Sequence, residues 1–197
     1  MGRRLVGEGL RGQAVGMHVL ISGASGLVGS SLAPRLLAAG HKVSRLVRAA
    51  GGGAGASAAA SIPWDPDAGV LDPARLSGVD AVVHLSGESI AASRWTKKRR
   101  ERIRSSRIRT TRLLAETMAR VNPRPGVLVH ASAVGYYGDR GADVLTEASG
   151  PGSGFLADLC RDWEAASMPA QDAGVRVARL RIAPVIGACG GMLAAIL

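Results

Sequence analysis

Two cysteines in 197 residues, Cys160 and Cys189, leave no disulfide framework and no metal-ligand spacing to build on. That usage suits a reducing, cytoplasmic setting. Aromatic residues make up 3% of the chain, too few to interleave with cations as a single-strand nucleic-acid platform requires. No apolar run approaches the roughly 18 residues of a membrane span, so no membrane partner is expected. Residues 1–16 carry arginine and glycine but no apolar h-region, which excludes a signal peptide. They read as a disordered extension before a single domain over 17–197. Acidic residues are missing between Glu8 and Asp65, and the three lysines, Lys42, Lys97 and Lys98, all lie in the first half of the chain.

What is present begins with a glycine turn. The apolar run His18 to Ser22 leads into Gly23, Ala24, Ser25, Gly26, Leu27, Val28 and Gly29, and a helical pattern over 27–39 follows. Strand, glycine turn and helix in that order form a dinucleotide fingerprint. The glycines permit the tight turn, admit a pyrophosphate close to the backbone and let helix and strand pack closely. The pyrophosphate then meets amide N–H groups at the positive end of the helix dipole. About 20 residues on, where an NAD site supplies an Asp or Glu for the ribose hydroxyls, this chain has Arg45 and Arg48. A guanidinium grips a 2′-phosphate in a fork, so the spacing points to NADP.

The formal net charge of +10 is concentrated: Arg94 to Arg112 hold ten Lys/Arg against the single acid Glu101. Ile103, Thr110, Thr111, Leu114 and Met118 mark one buried stripe on a long helix over 96–121, and the cations read as its solvated face. No specific nucleic-acid partner is expected from it. Elsewhere strands are predicted at 17–22, 42–47, 61–64, 80–85, 126–131 and 175–181, with helices at 72–77 and 155–172. A low-complexity Gly/Ala stretch over 49–61 reads as a flexible loop. Strands alternating with helices predict an α/β fold, a doubly wound parallel sheet with helices on both faces. Nothing in the sequence fixes an oligomeric state.

The run Met17 to Gly29, the strand end His84, Leu85, Ser86, Gly87 and Glu88, the pair Arg94 and Trp95, and Ser132 through Tyr136, Tyr137 and Gly138 resemble the atypical extended short-chain dehydrogenase/reductases. More narrowly they resemble the NAD-dependent epimerase/dehydratase-like "epimerase family" proteins of the YfcH-like type. Thr146, Glu147, Trp163, Glu164 and Arg181 to Gly187 follow in the family's order. The resemblance implies an NAD(P)-binding Rossmann fold, with Leu85, Ser86, Gly87 and Glu88 on the cofactor side and Asp65 at the adenine amino group. It also implies Arg94 and Trp95 on the substrate side, with an unidentified small molecule as substrate. Family members usually continue into a small C-terminal substrate domain; beside them a chain ending at Leu197 reads as truncated.

Short-chain dehydrogenases move a proton with a Ser and a Tyr-x-x-x-Lys pair. Neither Tyr136 nor Tyr137 has a lysine four residues on, and Phe155 and Leu159 stand where that pair is expected. Three readings stay open. Ser132 with Tyr136 or Tyr137 supplies the proton by another route, helped by Glu147 or Glu88; or the chain binds NADP(H) without turnover, as a sensor or scaffold; or it is an inactive product. The same residues have plainer explanations. Ser132 caps a turn, Tyr137 and Trp64 are core aromatics, His84 and His130 are satisfied core histidines.

Overall fold

The computed structural model describes residues 16–48, 60–90, 94–187 and 190–191. Most of the expected extension and loop, residues 1–15 and 49–59, lies outside the described residues, as does Cys189. Residue 60, expected in the loop, instead opens the strand expected at 61–64.

Six parallel strands form one sheet in the order β3-β2-β1-β4-β5-β6. They are β1 (His18–Ser22), β2 (Lys42–Arg48), β3 (Ala60–Trp64), β4 (Ala81–His84), β5 (Val127–Ala133) and β6 (Arg176–Ile182). The order reverses between β1 and β4. Period-2 alternation sends neighbouring side chains of β1 to opposite layers. Val19 and Ile21 pack with Ala33, Leu32 and Leu36 of α1 (Leu27–Ala38). Leu20, with Val82 and Leu128, packs with Leu114 and Met118 of α2 (Lys97–Arg120) on the other face. A strand covered on both faces has to be apolar throughout, which is why β1 reads as an unbroken apolar run.

The predicted stripe of α2, Ile103, Thr110, Thr111, Leu114 and Met118, is buried. Its cations are less uniformly solvated than expected. Arg99 is 5% exposed, with its guanidinium on Glu88 and on the Ser89 carbonyl, and Arg107 packs its guanidinium over Trp163. Long cationic stems can cover apolar surface while the head finds a partner. The first turn of α2 carries Lys97, Lys98, Arg99 and Arg100 and no acid, against the helix dipole. Thr96 caps it by accepting from the Arg99 N–H, and the buried stripe holds it in place.

The helix expected over 155–172 is two helices, α3 (Phe155–Ala165) and α4 (Met168–Asp172). Pro169 has no N–H to continue the ladder, and the Ser167 hydroxyl bonds back to the Glu164 carbonyl. The short helix expected over 72–77 is a 3-10 turn, Pro73–Leu76, capped by Asp72. The loop after β5 opens with another such turn, Val134–Tyr137. A two-stranded antiparallel pair, β7 (Ile186–Gly187) and β8 (Gly190–Gly191), follows β6. Among the described residues no helix is long and apolar enough to cross a membrane.

Candidate functional site

In a doubly wound sheet, ligands bind beyond the carboxyl ends of the strands where the strand order reverses. Here that point lies between β1 and β4. Gly23 ends β1 at φ +73°, and a Cβ there would sit 2.8 Å from the Leu85 carbonyl carbon and 2.9 Å from the Ser86 nitrogen. No side chain fits. Gly29, one turn into α1, is equally constrained, since a Cβ would lie 2.4 Å from the Gly23 oxygen and 2.7 Å from the Ala24 Cα. Strand, turn and helix therefore approach more closely than any alanine allows, leaving an open cradle above them.

The cradle is a cleft with two lobes. One, of about 390 Å³, is lined by Gly23, Ser25, Gly26, Arg48, Leu85, Ser86, Gly87, Glu88 and Ser106. The other, of about 400 Å³, is lined by Gly23, Ser25, Arg45, Arg48, Trp64 and Ser86 among others. Nine of the expected cofactor residues thus converge: Gly23, Ser25, Gly26, Arg45, Arg48, Leu85, Ser86, Gly87 and Glu88. Leu27, Val28 and Gly29 lie on the first turn of α1, outside this lining. Asp65 is elsewhere too, its carboxylate accepting from the Asp67 and Ala68 N–H groups of its own turn. Among the described residues no carboxylate pairs with Arg45 or Arg48, and the Arg45 Nε is buried without a hydrogen-bond partner.

Beneath the glycine turn runs a buried polar thread. The Ser22 hydroxyl lies 2.5 Å from His84 Nδ1, His84 Nε2 lies 2.9 Å from the Thr111 hydroxyl, and the Trp163 indole N–H donates to that same hydroxyl at 2.9 Å. Burial, reinforced by the neighbouring His130, lowers the His84 pKa to about 3, so the ring is neutral. Burial likewise lowers His130 to about 4. His130 uses Nδ1 on the Ala131 carbonyl while its Nε2 has no partner. Both histidines are core residues, and Trp64 is buried beside His84.

A second constellation gathers at the ends of β5 and β6. Ser132 is 3% exposed, and its hydroxyl donates to Glu164 Oε1 at 2.6 Å. Arg181 grips the same carboxylate with two prongs, Nε to Oε1 at 2.9 Å and Nη2 to Oε2 at 3.0 Å. Its Nη1 donates to the Tyr137 hydroxyl at 3.0 Å, and its guanidinium lies 3.5 Å over the Tyr136 ring. Burial alone would push the Glu164 carboxyl up, but the Arg181 and Ser132 hydrogen bonds overcome it and hold the pKa below the ordinary carboxylate value. Glu164 in turn raises the pKa of Arg181. A pocket of about 520 Å³ opens here, lined by Val134, Tyr137, Glu147, Glu164, Arg179 and Arg181 among others.

Ser132, Tyr136 and Tyr137, the expected catalytic residues, therefore meet in one place. Glu88, considered as an auxiliary, is held by Arg99 instead. Sequence reasoning gave no role to the residues that knit this cluster, Glu164 and Arg181.

Residues 19–194 match the NAD dependent epimerase/dehydratase family. An epimerase family protein of Mycobacterium tuberculosis is 43% identical over 175 residues, which is 89% of this chain and 56% of that protein. The human epimerase family protein SDR39U1 is 31% identical over 180 residues, 90% of this chain and 57% of its own length. Among solved structures, the nucleoside-diphosphate sugar epimerase of Corynebacterium glutamicum superposes with a TM-score of 0.76 at 38% identity, covering 92% of this chain and 37% of that one. Human SDR39U1 (isoform 2) with NADPH gives 0.75 at 29%, covering 91% and 58%. The chain spans about half the length of the curated relatives it matches.

Proposed function

The chain belongs to the NAD-dependent epimerase/dehydratase family, and from that membership we propose that it binds NADP(H) in the cleft between β1 and β4 and acts on a small molecule beside Ser132. The carrying observation is the pair Arg45 and Arg48, which line the same cleft as Gly23 and have no carboxylate partner among the described residues. The residues fit the group: a glycine turn at the cleft whose backbone packing admits no side chain, and a buried Arg45 Nε with a hydrogen bond to give. The human relative solved with NADPH supports the same choice. The turn Gly23–Gly29 would hold the pyrophosphate, and Arg45 and Arg48 the 2′-phosphate.

A bound nicotinamide supplies the hydride donor or acceptor of an oxidoreduction or epimerisation. The chain supplies the proton. Arg181 donates to the Tyr137 hydroxyl oxygen, which leaves the phenolic proton free to pass to a substrate oxygen. Ser132, donating to Glu164, keeps lone pairs to accept from a substrate hydroxyl. A second reading, binding without turnover, draws on the same bond, because the Ser132 proton is already committed to a carboxylate.

The test is calorimetric titration with NADP+ and NAD+. A charge-assisted hydrogen bond is worth about 1.5–3 kcal/mol, so NADP+ is expected to bind roughly 10- to 150-fold tighter. An Arg45→Ser/Arg48→Ser variant should abolish the difference. Equal affinities in the parent chain would overturn the reading.

A further inference from the structure

Arg107 is a packed cation with no ion-pair partner among the described residues. It projects from the middle of α2, and among the described residues its one hydrogen bond runs from Nη1 to the Ile103 carbonyl at 3.1 Å, within its own helix. Among the described residues no carboxylate lies within ion-pair distance of it. The guanidinium stacks 5.2 Å from the centroid of the Trp163 ring, which fixes its plane. On its other side stands Gly87, where a Cβ would come within 3.3 Å of the Arg107 Cζ and 3.4 Å of Nη2. Gly87 lines the cleft, so the guanidinium occupies the space that a side chain at position 87 would take.

The same residue reaches toward the second constellation, because Trp163, on which it stacks, directly precedes Glu164 on α3. Arg107 thus lies between the dinucleotide cleft, through Gly87, and the Glu164 cluster, through Trp163. Burial pulls its pKa below the ordinary arginine value, and the neighbouring Cys160 and Glu88 offset this only in part. Stacking on Trp163 supplies part of the compensation, and no carboxylate among the described residues completes it. Glu88, the carboxylate that acts on it, is already held by Arg99. Nη2 makes no hydrogen bond within the described residues, and the side chain is only partly buried.

We propose that Arg107 receives an anionic oxygen of the molecule bound at this junction, and is the cation of the reactive end in a chain without the usual Tyr-x-x-x-Lys lysine. The oxygen belongs either to the phosphate on the nicotinamide half of the dinucleotide or to an anionic group of the substrate. This assignment rests on the dinucleotide reading above and adds a residue that neither the glycine turn nor the Arg45–Arg48 pair includes.

The experiment is calorimetry on the full chain and its Arg107→Met and Arg107→Lys variants, with four probes: NADP+, nicotinamide mononucleotide, 2′,5′-ADP and inorganic phosphate. Losing a charge-assisted hydrogen bond should weaken NADP+ and nicotinamide mononucleotide by roughly 10- to 150-fold in Arg107→Met and leave 2′,5′-ADP unchanged. Arg107→Lys should restore most of the loss. Should all dinucleotide affinities hold while phosphate no longer binds the NADP+-saturated variant, the oxygen is the substrate's and the assignment stands. Because the charge is unpaired, the thermal midpoint of Arg107→Met should equal or exceed the parent's. No change in any of the four affinities overturns the proposal, as does a uniform loss across them with a lowered midpoint. If the parent fails to bind NADP+, the dinucleotide reading falls, and phosphate binding that depends on Arg107 still decides this one.

Discussion

Arg181 of β6 reaches back across the sheet end to grip both carboxylate oxygens of Glu164 on α3, at 2.9 and 3.0 Å. The two side chains are 19% and 11% exposed, and Ser132 completes the carboxylate's hydrogen bonding. A strand at the sheet edge, a helix and the end of β5 are thus held to one group. Removing one partner of a largely buried pair leaves an uncompensated charge. Glu164→Gln is therefore expected to destabilise the fold by on the order of 3 kcal/mol. Adding Arg181→Met should recover part of that, since the cost lies in the stranded cation. Urea denaturation of the parent, both single variants and the double variant measures the coupling; a neutral Glu164→Gln would show the pair to be dispensable.

Acid should unfold the chain from a higher pH than its carboxylates alone dictate. Folded, His84 and His130 have pKa values lowered to about 3 and about 4, whereas unfolded they titrate near pH 6.5. A depressed folded pKa means stability that is complete above about pH 6.5 and lost as pH falls toward the folded values. Glu164, also held low, adds its own loss below the ordinary carboxylate range, in the same direction. Thermal midpoints should therefore decline steadily from about pH 6.5 downward, with protons taken up on unfolding at pH 5. A flat profile between pH 7 and 5 would mean the histidines are not buried neutral.

Gly23→Val is expected to abolish NADP(H) binding. The branched Cβ would run into the Leu85 and Ser86 backbone at 2.8 to 2.9 Å, and the φ of +73° disfavours any side chain. The obstacle is backbone, which cannot swing aside, so a lowered thermal midpoint should accompany the lost affinity. Native affinity for NADP+ in this variant would place the cofactor elsewhere.

Any NADPH-dependent turnover should depend on the cluster around Ser132. General acid–base assistance is typically worth about 10²–10⁴-fold, so Tyr137→Phe should cost a factor within that range. Ser132→Ala should do likewise, while Tyr136→Phe, which keeps the ring under Arg181, should cost less. Absorbance of NADPH against ketones, aldehydes and nucleotide sugars provides the readout. Turnover indifferent to Ser132 and Tyr137 would put the chemistry on other residues; none in the parent would favour binding alone.

The parallel sheet was legible because apolar segments such as β1 and β4 alternate with helical patterns, and glycine or proline punctuates the turns between them. The cleft was legible for a similar reason: a glycine turn and strand-end residues are local features that the strand order then brings together. Glu164 and Arg181 were not. They lie 17 positions apart on different elements, and nothing local in either segment announces the other. Arg99 and Arg107 were hidden among exposed cations, since a charge run does not reveal which members turn inward. The break between α3 and α4 had a visible cause in Pro169, but the apolar pattern continues through it and gave one helix.

The thread from Ser22 through His84 and Thr111 to Trp163 gives the molecule an internal clock. The Trp163 indole N–H is spent on a buried hydroxyl, so its exchange with deuterium waits for α3 to part from α2. The Trp95 indole N–H, bonded to the Ile90 carbonyl in an exposed setting, should exchange after a much smaller opening. Two proton resonances in an uncrowded part of a spectrum therefore time separate events, separation of the core and loosening of its rim.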